Sequence, residues 1–590
     1  MGETGAGLFP DPGNRTAFME TLRELVDDYY DWHESCAGAA GPPSAPTGRP
    51  ASAGVTGPPA ADTDGSGPGL GAVRGLIREL SGCLARESTP WPSPLYLAHM
   101  TPDTPIAASL AYLCAMLYNP NNVTSEASPV TTRLEHEVGD DLCRLVGYHP
   151  GSGWAHLSSG GHAANYEAIW IARNLRSLPL AAAEDPGSRD LVAGVPRASL
   201  VNLPVGRTLD LVDALAARGA LARVGRLAGE IRCRGVRGGG RLLFARSAHY
   251  AWDKCADLLG FGPGDIEALG LDQYHRIDLP ALRRRVCDLL ERGRPIVAVV
   301  ATLGSTGEGS VDDLRGIMRL RDSCEQRYGA SFYVHVDAAF GGYCRAICLA
   351  GDGSTLPYDD VAAADLPGRL KPEVYEALRA LPLADSVTVD PHKGGHVPYP
   401  AGGLVLRDRR AAAVVASRAA YFAHGEGDRP AFGPYTLEGA RPGAAAAAVW
   451  AAHRTIGLHA GGYGRLLRGC IATAQRLHRS FRTAGPSGAD GRAPRLLSSY
   501  DPDLNILNLS VHQPGGRAGG DAVNRLLGRL RADAAAAPMT NLWVSGNTLG
   551  GRGGPDGVEQ VLRLCVMKEL DPAVTDSVCR ALRTAAARGR

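Results

Sequence analysis

Lys393 follows a short apolar segment and is flanked by groups that can act on its proton. The segment, Ser386–Val389, has the small and β-branched side chains of a strand buried on both faces. Asp390, His392 and Lys393 follow it directly, with glycines after them. A lysine beside an acid and an imidazole can attack a carbonyl carbon and form a covalent bond. A catalytic lysine and an ordinary polar loop are the two interpretations, and the rest of the sequence must decide between them.

Other polar residues also follow apolar segments farther up the chain, at Ser159, Gly161, His162, His249, Thr306 and Asp337. The first three lead directly into a helical pattern, where free backbone N–H groups can hold an anion. The aspartate ends the segment YVHVD, and a buried carboxylate there is costly unless a cation or a strong donor meets it. Each feature by itself is more often a turn or a packing residue than a functional site.

Together these groups match the chemical parts of one cofactor, pyridoxal phosphate (PLP). The Gly/Ser loop is expected to hold its phosphate, and an imidazole to stack on its ring. A carboxylate keeps a pyridine nitrogen protonated, and a lysine bonds covalently to an aldehyde. The combination therefore predicts that Lys393 is catalytic.

Short β-branched segments alternate with helical patterns from about residue 128 onward. This alternation predicts an α/β fold with a large, mostly parallel sheet and helices on both faces. In such sheets ligands bind at the carboxyl ends of the strands, which is where the polar groups fall. The strand patterns DLNILNLSVH and VLRLCVMKEL, among Ala/Arg-rich helices, predict a smaller α+β C-terminal domain.

Composition sets the expected domain limits. Residues 1–127 are expected to form an N-terminal helical segment. Its Pro/Gly/Ala/Ser-rich part, at about 36–69, has almost nothing to bury and predicts a flexible linker. Residues 128–440 are expected to form the large cofactor-binding domain and residues 441–590 the small C-terminal domain.

Charge and composition argue against several classes of protein. The 590 residues carry a net charge of +1, from 62 Lys and Arg against 61 Asp and Glu, so no basic field favours nucleic acid or a membrane surface. The N-terminus has no signal-peptide pattern, and no apolar run is long enough to span a bilayer. The 13 cysteines show no metal-binding spacing. We therefore expect a soluble cytoplasmic protein without a resident metal.

The order of the motifs resembles that of the group II PLP-dependent amino acid decarboxylases. The matching segments include SSGGHAAN, AHYAWDKCADLLG, ATLGSTGEGSVDDL, HVDAAFGG and DPHK. LYNPNNVTSEASPVTTRLEHEVG and DPHKGGHVPYPAGG are most similar to the bacterial tyrosine decarboxylase branch. The resemblance implies PLP fold type I, which is aspartate aminotransferase-like, and an obligate homodimer with active sites at the subunit interface. It also implies release of the substrate α-carboxylate as CO2.

Position by position, the resemblance assigns roles to single residues. It implies that Lys393 bonds covalently to the cofactor, that Asp337 pairs with its pyridine nitrogen and that His249 stacks on its ring. Further cofactor contacts are implied for Gly161, His162, Thr306, Ala339 and His392. The imidazole at 162 stands where the family has Thr or Ser; its N–H can still donate to a phosphate, and Ser159 is the alternative donor.

Loss of the carboxylate leaves a carbanion at Cα that must be protonated, and a tyrosine is the expected donor. Tyr399, shortly after Lys393, matches a tyrosine of the bacterial tyrosine decarboxylase branch. Tyr421, in SRAAYFAHGEG, lies at about the distance where animal relatives carry a loop tyrosine. Both are candidates for the proton donor.

The sequence leaves the substrate and the exact reaction open. The branch resemblance favours tyrosine or a similar aromatic amino acid, and a branched aliphatic one such as valine is the alternative. The Ala/Gly/Arg-rich composition is typical of a high-GC bacterium, which points to secondary metabolism such as antibiotic biosynthesis. An aldehyde-forming oxidative decarboxylase or an aminotransferase on the same fold is the competing reaction class.

Overall fold

The computed structural model describes residues 14–37, 70–233, 240–262, 264–363, 367–417, 431–482, 494–513, 520–536, 541–550 and 559–588. Within these ranges the α-helices are α1 (Arg15–Ala37), α2 (Leu70–Glu87), α3 (Ile106–Met116), α4 (Pro129–Val146), α5 (Gly161–Glu184), α6 (Arg197–Leu200), α7 (Val205–Ala217), α8 (Leu221–Cys233), α9 (Ala251–Leu258), α10 (Leu279–Glu291), α11 (Leu314–Tyr328), α12 (Tyr358–Val361), α13 (Pro372–Arg379), α14 (Gly443–Ile456), α15 (Tyr463–Phe481), α16 (Gly520–Ala536) and α17 (Pro572–Ala587). The strands are β1 (Trp154–Ser158), β2 (Arg241–Ala245), β3 (Ile266–Leu269), β4 (Ile296–Thr302), β5 (Tyr333–Asp337), β6 (Ser386–Val389), β7 (Gly402–Leu406), β8 (Arg495–Ser498), β9 (Ile506–His512), β10 (Ser545–Leu549) and β11 (Glu559–Cys565).

The described residues form two compact units. The first holds those within Met1–His99 and Leu526–Val544, and the second those within Met100–Arg525 and Ser545–Arg590. In the first unit, helices α1 and α2 are joined by ion pairs. Arg78 Nε donates to Glu24 Oε2 at 2.7 Å, and Arg74 binds the same carboxylate.

A seven-stranded sheet forms the centre of the second unit, in the order β1-β7-β6-β5-β4-β2-β3. Strands β6, β5, β4, β2 and β3 run parallel, and β7 runs antiparallel to both β6 and β1. Strand β1 therefore points the same way as the parallel strands. The predicted α/β fold with a large, mostly parallel sheet is confirmed.

Both faces of this sheet are buried, as its apolar strands require. Along β4, Ala298 and Val300 pack in one core with side chains of α5, whereas Val299 and Ala301 belong to the core on the opposite face. The alternation follows from the two-residue period of a strand. Packing on both sides therefore fixes the carboxyl ends of these strands.

A four-stranded antiparallel sheet, β10-β11-β9-β8, lies in the same unit. Strands β9 and β11 are the two predicted from DLNILNLSVH and VLRLCVMKEL. With helices α15 and α17 they give the chain its predicted α+β C-terminal part. Because this part shares a compact unit with the large sheet, the domain limits near 128 and 441 stay predictions.

Most of the predicted linker at about 36–69 lies outside the described residues, and its first two positions belong to α1. Among the helices that the structure describes, none combines the length and the apolar character needed to cross a membrane.

Candidate active site

Strands β1, β4, β5 and β6 of the large sheet end around one cavity of about 380 Å³. Thr302 of β4 pairs with Asp337 of β5, which in turn pairs with Thr388 of β6, so these strands end at the same level. The lining includes ten of the predicted site residues, namely Ser159, Gly161, His162, His249, Thr306, Asp337, Ala339, His392, Lys393 and Tyr399. Tyr421 lies outside the described residues. The structure thus brings these ten together, and the roles assigned to them stay predictions.

Lys393 is paired with a buried carboxylate. Its Nζ lies 2.8 Å from Oδ2 of Asp390, whose side chain is 1% exposed. Both Asp390 oxygens otherwise lack a hydrogen-bond partner among the described residues. Burial lowers the pKa of the Lys393 ammonium, but the attraction of Asp390 and of Asp337 is larger in sum and raises it. Asp390 therefore stabilises the charged lysine at the end of β6.

His392 supports the tyrosine that was predicted to donate a proton. Its ring stacks on that of Tyr399, with centroids 4.1 Å apart and planes 28° from parallel. The backbone N–H of Ala401 donates to His392 Nδ1 at 3.2 Å, so a neutral ring carries its proton on Nε2, 3.5 Å from Asp390 Oδ2. Tyr399 is 55% exposed, so one part of its ring packs on His392 while the rest is open to solvent.

Asp337 is a buried carboxylate at the end of β5. It is 7% exposed, and burial raises its pKa although the nearby Lys393 opposes the shift. Asn165 Nδ2 donates to Asp337 Oδ2 at 3.0 Å, and the Ala339 N–H donates to Oδ1 at 3.3 Å. The carboxylate is thus held by neutral donors at the cavity wall.

His249 and His162 stand at right angles, with ring centroids 4.7 Å apart and an interplanar angle of 87°. The Ala251 N–H donates to His249 Nδ1 at 3.2 Å, which orients that ring. Burial, with His162 and Lys393 nearby, lowers the pKa of His249 to about 4. Burial and Lys393 also lower the pKa of His162. Both imidazoles are therefore neutral near pH 7, and His162 packs edge-on against the ring predicted to stack on the cofactor.

The N-terminus of α5 leaves no room for a side chain at its first residue. A Cβ on Gly161 would lie 2.8 Å from Asp390 Oδ2 and 3.1 Å from Ala339 Cβ. Just before the helix, the Ser159 N–H donates to Glu438 Oε2 at 3.0 Å. The Thr302 hydroxyl, which also lines the cavity, has no hydrogen-bond partner among the described residues.

The loop that carries Thr306 is held by three side chains, two from the four-stranded sheet and one from the segment between β8 and β9. Arg563 Nε donates to the carbonyl of Thr306 at 2.8 Å. The next two carbonyls accept from Asn508 Nδ2, at 3.0 Å, and from the Tyr500 hydroxyl, at 2.8 Å. Consecutive backbone carbonyls of one loop are therefore fixed individually. Thr306 itself is exposed at the cavity wall.

The sequence reasoning missed Asp390 and Asn165 as members of the site, and missed His335 behind it. The sequence spacing of Asn165 and of His335 could have identified these two residues. Asn165 is four residues after Gly161, and residues at i and i+4 share a helix face. His335 is two residues before Asp337, and residues at i and i+2 share a strand face. Each lies on the same face as a residue that was predicted.

The donor set fits PLP. The cavity offers an aldehyde-reactive amine in Lys393, a buried carboxylate for a ring nitrogen in Asp337 and a flat neutral imidazole in His249. At the start of α5, the close backbone approach at Gly161 and the helix N-terminus can meet a phosphate. Among the described residues no group of three or more His, Cys, Asp or Glu side chains is arranged to hold a metal ion.

Comparison with known proteins shows similarity to pyridoxal-dependent decarboxylases along most of the chain. Residues 212–350 match the family model described as the pyridoxal-dependent decarboxylase conserved domain. The chain is 35% identical over 522 residues to the L-tyrosine decarboxylase of Levilactobacillus brevis, covering 85% of this chain and 78% of that enzyme. It is also 35% identical over 518 residues to the L-tyrosine decarboxylase of Enterococcus faecalis, covering 85% and 79%.

Solved structures share the fold. The crystal structure of Oryza sativa TDC with PLP and tryptamine matches with a TM-score of 0.65 at 18% identity, over 98% of this chain and 99% of that one. Rhodiola rosea 4-hydroxyphenylacetaldehyde synthase matches with a TM-score of 0.62 at 16% identity, over 98% and 99%. Because a decarboxylase and an aldehyde synthase both match at low identity, the fold alone does not choose between their reactions.

Proposed function

The chain belongs to the pyridoxal-dependent decarboxylase family, and from that premise we propose that it decarboxylates L-tyrosine to the primary amine and CO2. PLP-dependent decarboxylation of an amino acid follows from the family, and the resemblance drawn from the motifs is confirmed. The aromatic substrate is the proposal. The observation that carries it is the similarity to L-tyrosine decarboxylases over 78–79% of their length.

The cavity supports a neutral aromatic side chain over an acidic one. Rings of His162, His249, Phe340, His392 and Tyr399 line it, and the ring faces that neither the cofactor nor a neighbouring ring covers can pack on a flat substrate ring. No arginine lies among the described residues of the lining, and its one lysine is already paired with a carboxylate. An acidic substrate side chain would therefore find no free cation in this part of the site.

The side chains divide the chemistry between them. Bound PLP supplies a ring that accepts the electron pair of the breaking Cα–carboxylate bond. Lys393 holds the cofactor covalently, and Asp337 keeps a proton on its ring nitrogen. His249 provides a stacking face without adding positive charge beside Lys393, because its imidazole is neutral. Tyr399, which lines the same cavity, is the proposed donor of the proton that returns to Cα.

A substrate comparison tests the proposal. We expect kcat/KM for L-tyrosine to exceed that for L-phenylalanine by about tenfold or more, because under the proposal the substrate hydroxyl makes a hydrogen bond that L-phenylalanine cannot make. L-valine should be poorer by about 100-fold, since a small aliphatic side chain leaves most of the aromatic contact unmade. Amine and CO2 are measured together with added PLP.

The same assay separates the alternatives. Equal amounts of amine and CO2 without oxygen uptake are expected. A higher kcat/KM for L-valine would overturn the aromatic assignment while leaving the decarboxylase intact. Oxygen uptake in step with CO2 release would instead identify an aldehyde-forming enzyme.

Replacing Tyr399 with Phe is expected to lower amine formation by about 100-fold, because the phenol is the proposed proton donor. The unprotonated carbanion can then react with oxygen. The balanced reaction converts the amino acid, O2 and H2O to aldehyde, CO2, NH3 and H2O2. We expect aldehyde and peroxide to form a larger share of the products than in the unmodified enzyme, measured by chromatography and a peroxidase assay.

Tyr274→Phe is the matched control, since Tyr274 is partly exposed and lies beside Arg276 and Lys371 rather than in the cavity lining. It should leave amine formation and product ratio unchanged. If Tyr399→Phe behaves like this control, the proton comes from another group, and Tyr421 becomes the candidate to test.

We also propose that the protein is a homodimer, as the family resemblance implies. Apolar side chains stand exposed on α3 of the second unit, where Ile106 is 67% and Leu110 is 60% exposed, and just after it, where Tyr118 is 84% exposed. In the first unit, α1 and α2 also expose large apolar side chains. Surfaces of this kind support a partner subunit. A cytoplasmic location and a role in secondary metabolism or antibiotic biosynthesis stay predictions.

A further inference from the structure

A line of hydrogen bonds runs from the acid at the cavity wall into the core of the sheet. Asn165 Nδ2 donates to Asp337 Oδ2 at 3.0 Å, and Asn165 Oδ1 lies 2.9 Å from His335 Nε2. His335 Nδ1 lies 2.8 Å from the hydroxyl of Ser386. Asn165 is 3% exposed, and the other two are fully buried. The line therefore joins helix α5 to strands β5 and β6 out of reach of solvent.

The chemistry of these groups fixes the direction of every bond. An amide nitrogen only donates and an amide oxygen only accepts. Because the Asn165 nitrogen faces a carboxylate, its oxygen must accept from His335 Nε2–H. The neutral His335 then accepts at Nδ1 from the Ser386 hydroxyl. Burial lowers the pKa of His335 to about 3, so the ring stays neutral at any working pH.

We propose that Asn165 and His335 are positioning residues that keep the Asp337 carboxylate oriented and ionised for the ring nitrogen of PLP. Both act through neutral dipoles. A lysine or arginine in place of Asn165 would also hold the carboxylate, but its charge would compete with a protonated ring nitrogen. A neutral donor lowers the cost of burying the charge and leaves that charge available to the cofactor.

The position of Asn165 on α5 adds a geometric reason. Gly161 and Asn165 both line the cavity and are separated by one helical turn, about 6 Å of rise. The start of α5 is the expected phosphate end, and Asn165 holds the acid at the expected ring-nitrogen end. One rigid helix thus contacts both ends of the site. His335 keeps the Asn165 amide from turning over, since a flipped amide would point its oxygen at the carboxylate.

The test uses the PLP-loaded protein without substrate, so it is independent of which amino acid is decarboxylated. For Asn165→Ala we expect the dissociation constant of PLP to rise about 10- to 100-fold, because a hydrogen bond to a charged group is lost. The pH midpoint of the visible absorbance of bound PLP should rise by about one unit. The reason is electrostatic. A ring nitrogen that has lost its proton no longer repels a positive charge elsewhere on the cofactor, so the group that carries that charge keeps its own proton up to a higher pH.

Asn174→Ala is the matched control, because Asn174 is a buried asparagine on the same helix outside the cavity lining. It should change thermal stability without moving the pH midpoint. Should Asn165→Ala fail to fold, two variants at His335 test the proposal instead. Gln can place an amide nitrogen where His335 has Nε2–H, so His335→Gln should keep the midpoint and PLP affinity. His335→Leu should change both in the direction expected for Asn165→Ala.

An unchanged midpoint and PLP affinity in folded Asn165→Ala would overturn the proposal. So would an unchanged midpoint in folded His335→Leu, or an equal shift in the Asn174→Ala control. An equal shift in both His335 variants would exclude the amide-orienting role of the imidazole.

Discussion

Replacing Lys393 with Ala is expected to abolish the visible absorbance of bound PLP and to lower decarboxylation by about four orders of magnitude or more, because the covalent link to the cofactor is lost. Borohydride reduction followed by peptide mapping should place the pyridoxyl group on Lys393 in the unmodified protein. In Lys393→Ala no such peptide should appear.

The same substitution should destabilise the cofactor-free protein. Without the ammonium, Asp390 is left as a buried carboxylate whose oxygens have no other hydrogen-bond partner among the described residues. Removing one member of a buried ion pair costs about 3 kcal/mol in the free energy of unfolding. Adding Asp390→Asn should restore most of this stability and none of the activity, as followed by denaturant unfolding and CO2 release.

Lys371→Ala is the control for the covalent link, since Lys371 pairs with Asp501 and Asp503 and does not line the cavity. It should keep the absorbance of bound PLP. Turnover by Lys393→Ala at more than a few per cent of the normal rate would show that another group binds the cofactor.

Asp337→Asn is expected to lower kcat by about 1,000-fold or more, because a neutral amide cannot hold a proton on the ring nitrogen and the ring then accepts electrons poorly. The fold should tolerate the change. Burial raises the pKa of Asp337, so this carboxyl contributes stability at low pH that is lost as the pH rises through its folded pKa. At neutral pH Asn should therefore cost at most about 1 kcal/mol in the free energy of unfolding.

Asp337→Asn should thus lose activity and keep most of its stability, whereas Lys393→Ala should lose both. Asp337→Glu retains the charge on a longer side chain and should recover part of kcat. A normal kcat in folded Asp337→Asn would show that the carboxylate does not control the ring nitrogen. A large loss of stability would show that Asp337 is chiefly structural.

Much of the sheet could be predicted because its strands are short and largely apolar, and because β4, β5 and β6 are rich in β-branched residues. The segments ending at Ser158, Ala245, Thr302, Asp337 and Val389 are all strands of the large sheet. Strand β7 was not predicted. Its segment, GGLVL, follows β6 with no helix between them and runs antiparallel, so it breaks the alternation of strands with helices on which the prediction depended.

Within the site, local sequence identified residues at strand ends but not the groups behind them. Asp390 was noticed as a neighbour of Lys393, yet its ion pair depends on the turn of the chain after β6. The contact of His162 with His249 joins residues 87 positions apart, one at the start of helix α5 and the other between β2 and α9. Nothing local to SSGGHAAN indicates that this imidazole packs against another ring.

The sequence alone determined the chemistry that is available, because residue types fix it: a lysine amine, a strand-end carboxylate, an imidazole and a glycine loop before a helix. It also determined most of the parallel strands of the large sheet, through strand composition and the alternation with helices. Only the tertiary structure decided which groups meet, since contacts between α5, β5 and β6 depend on packing across long stretches of chain. The ion pair of Asp390, the neutral state of His249 and the line from Asp337 through Asn165 to His335 arise from burial, which no residue possesses before the chain folds.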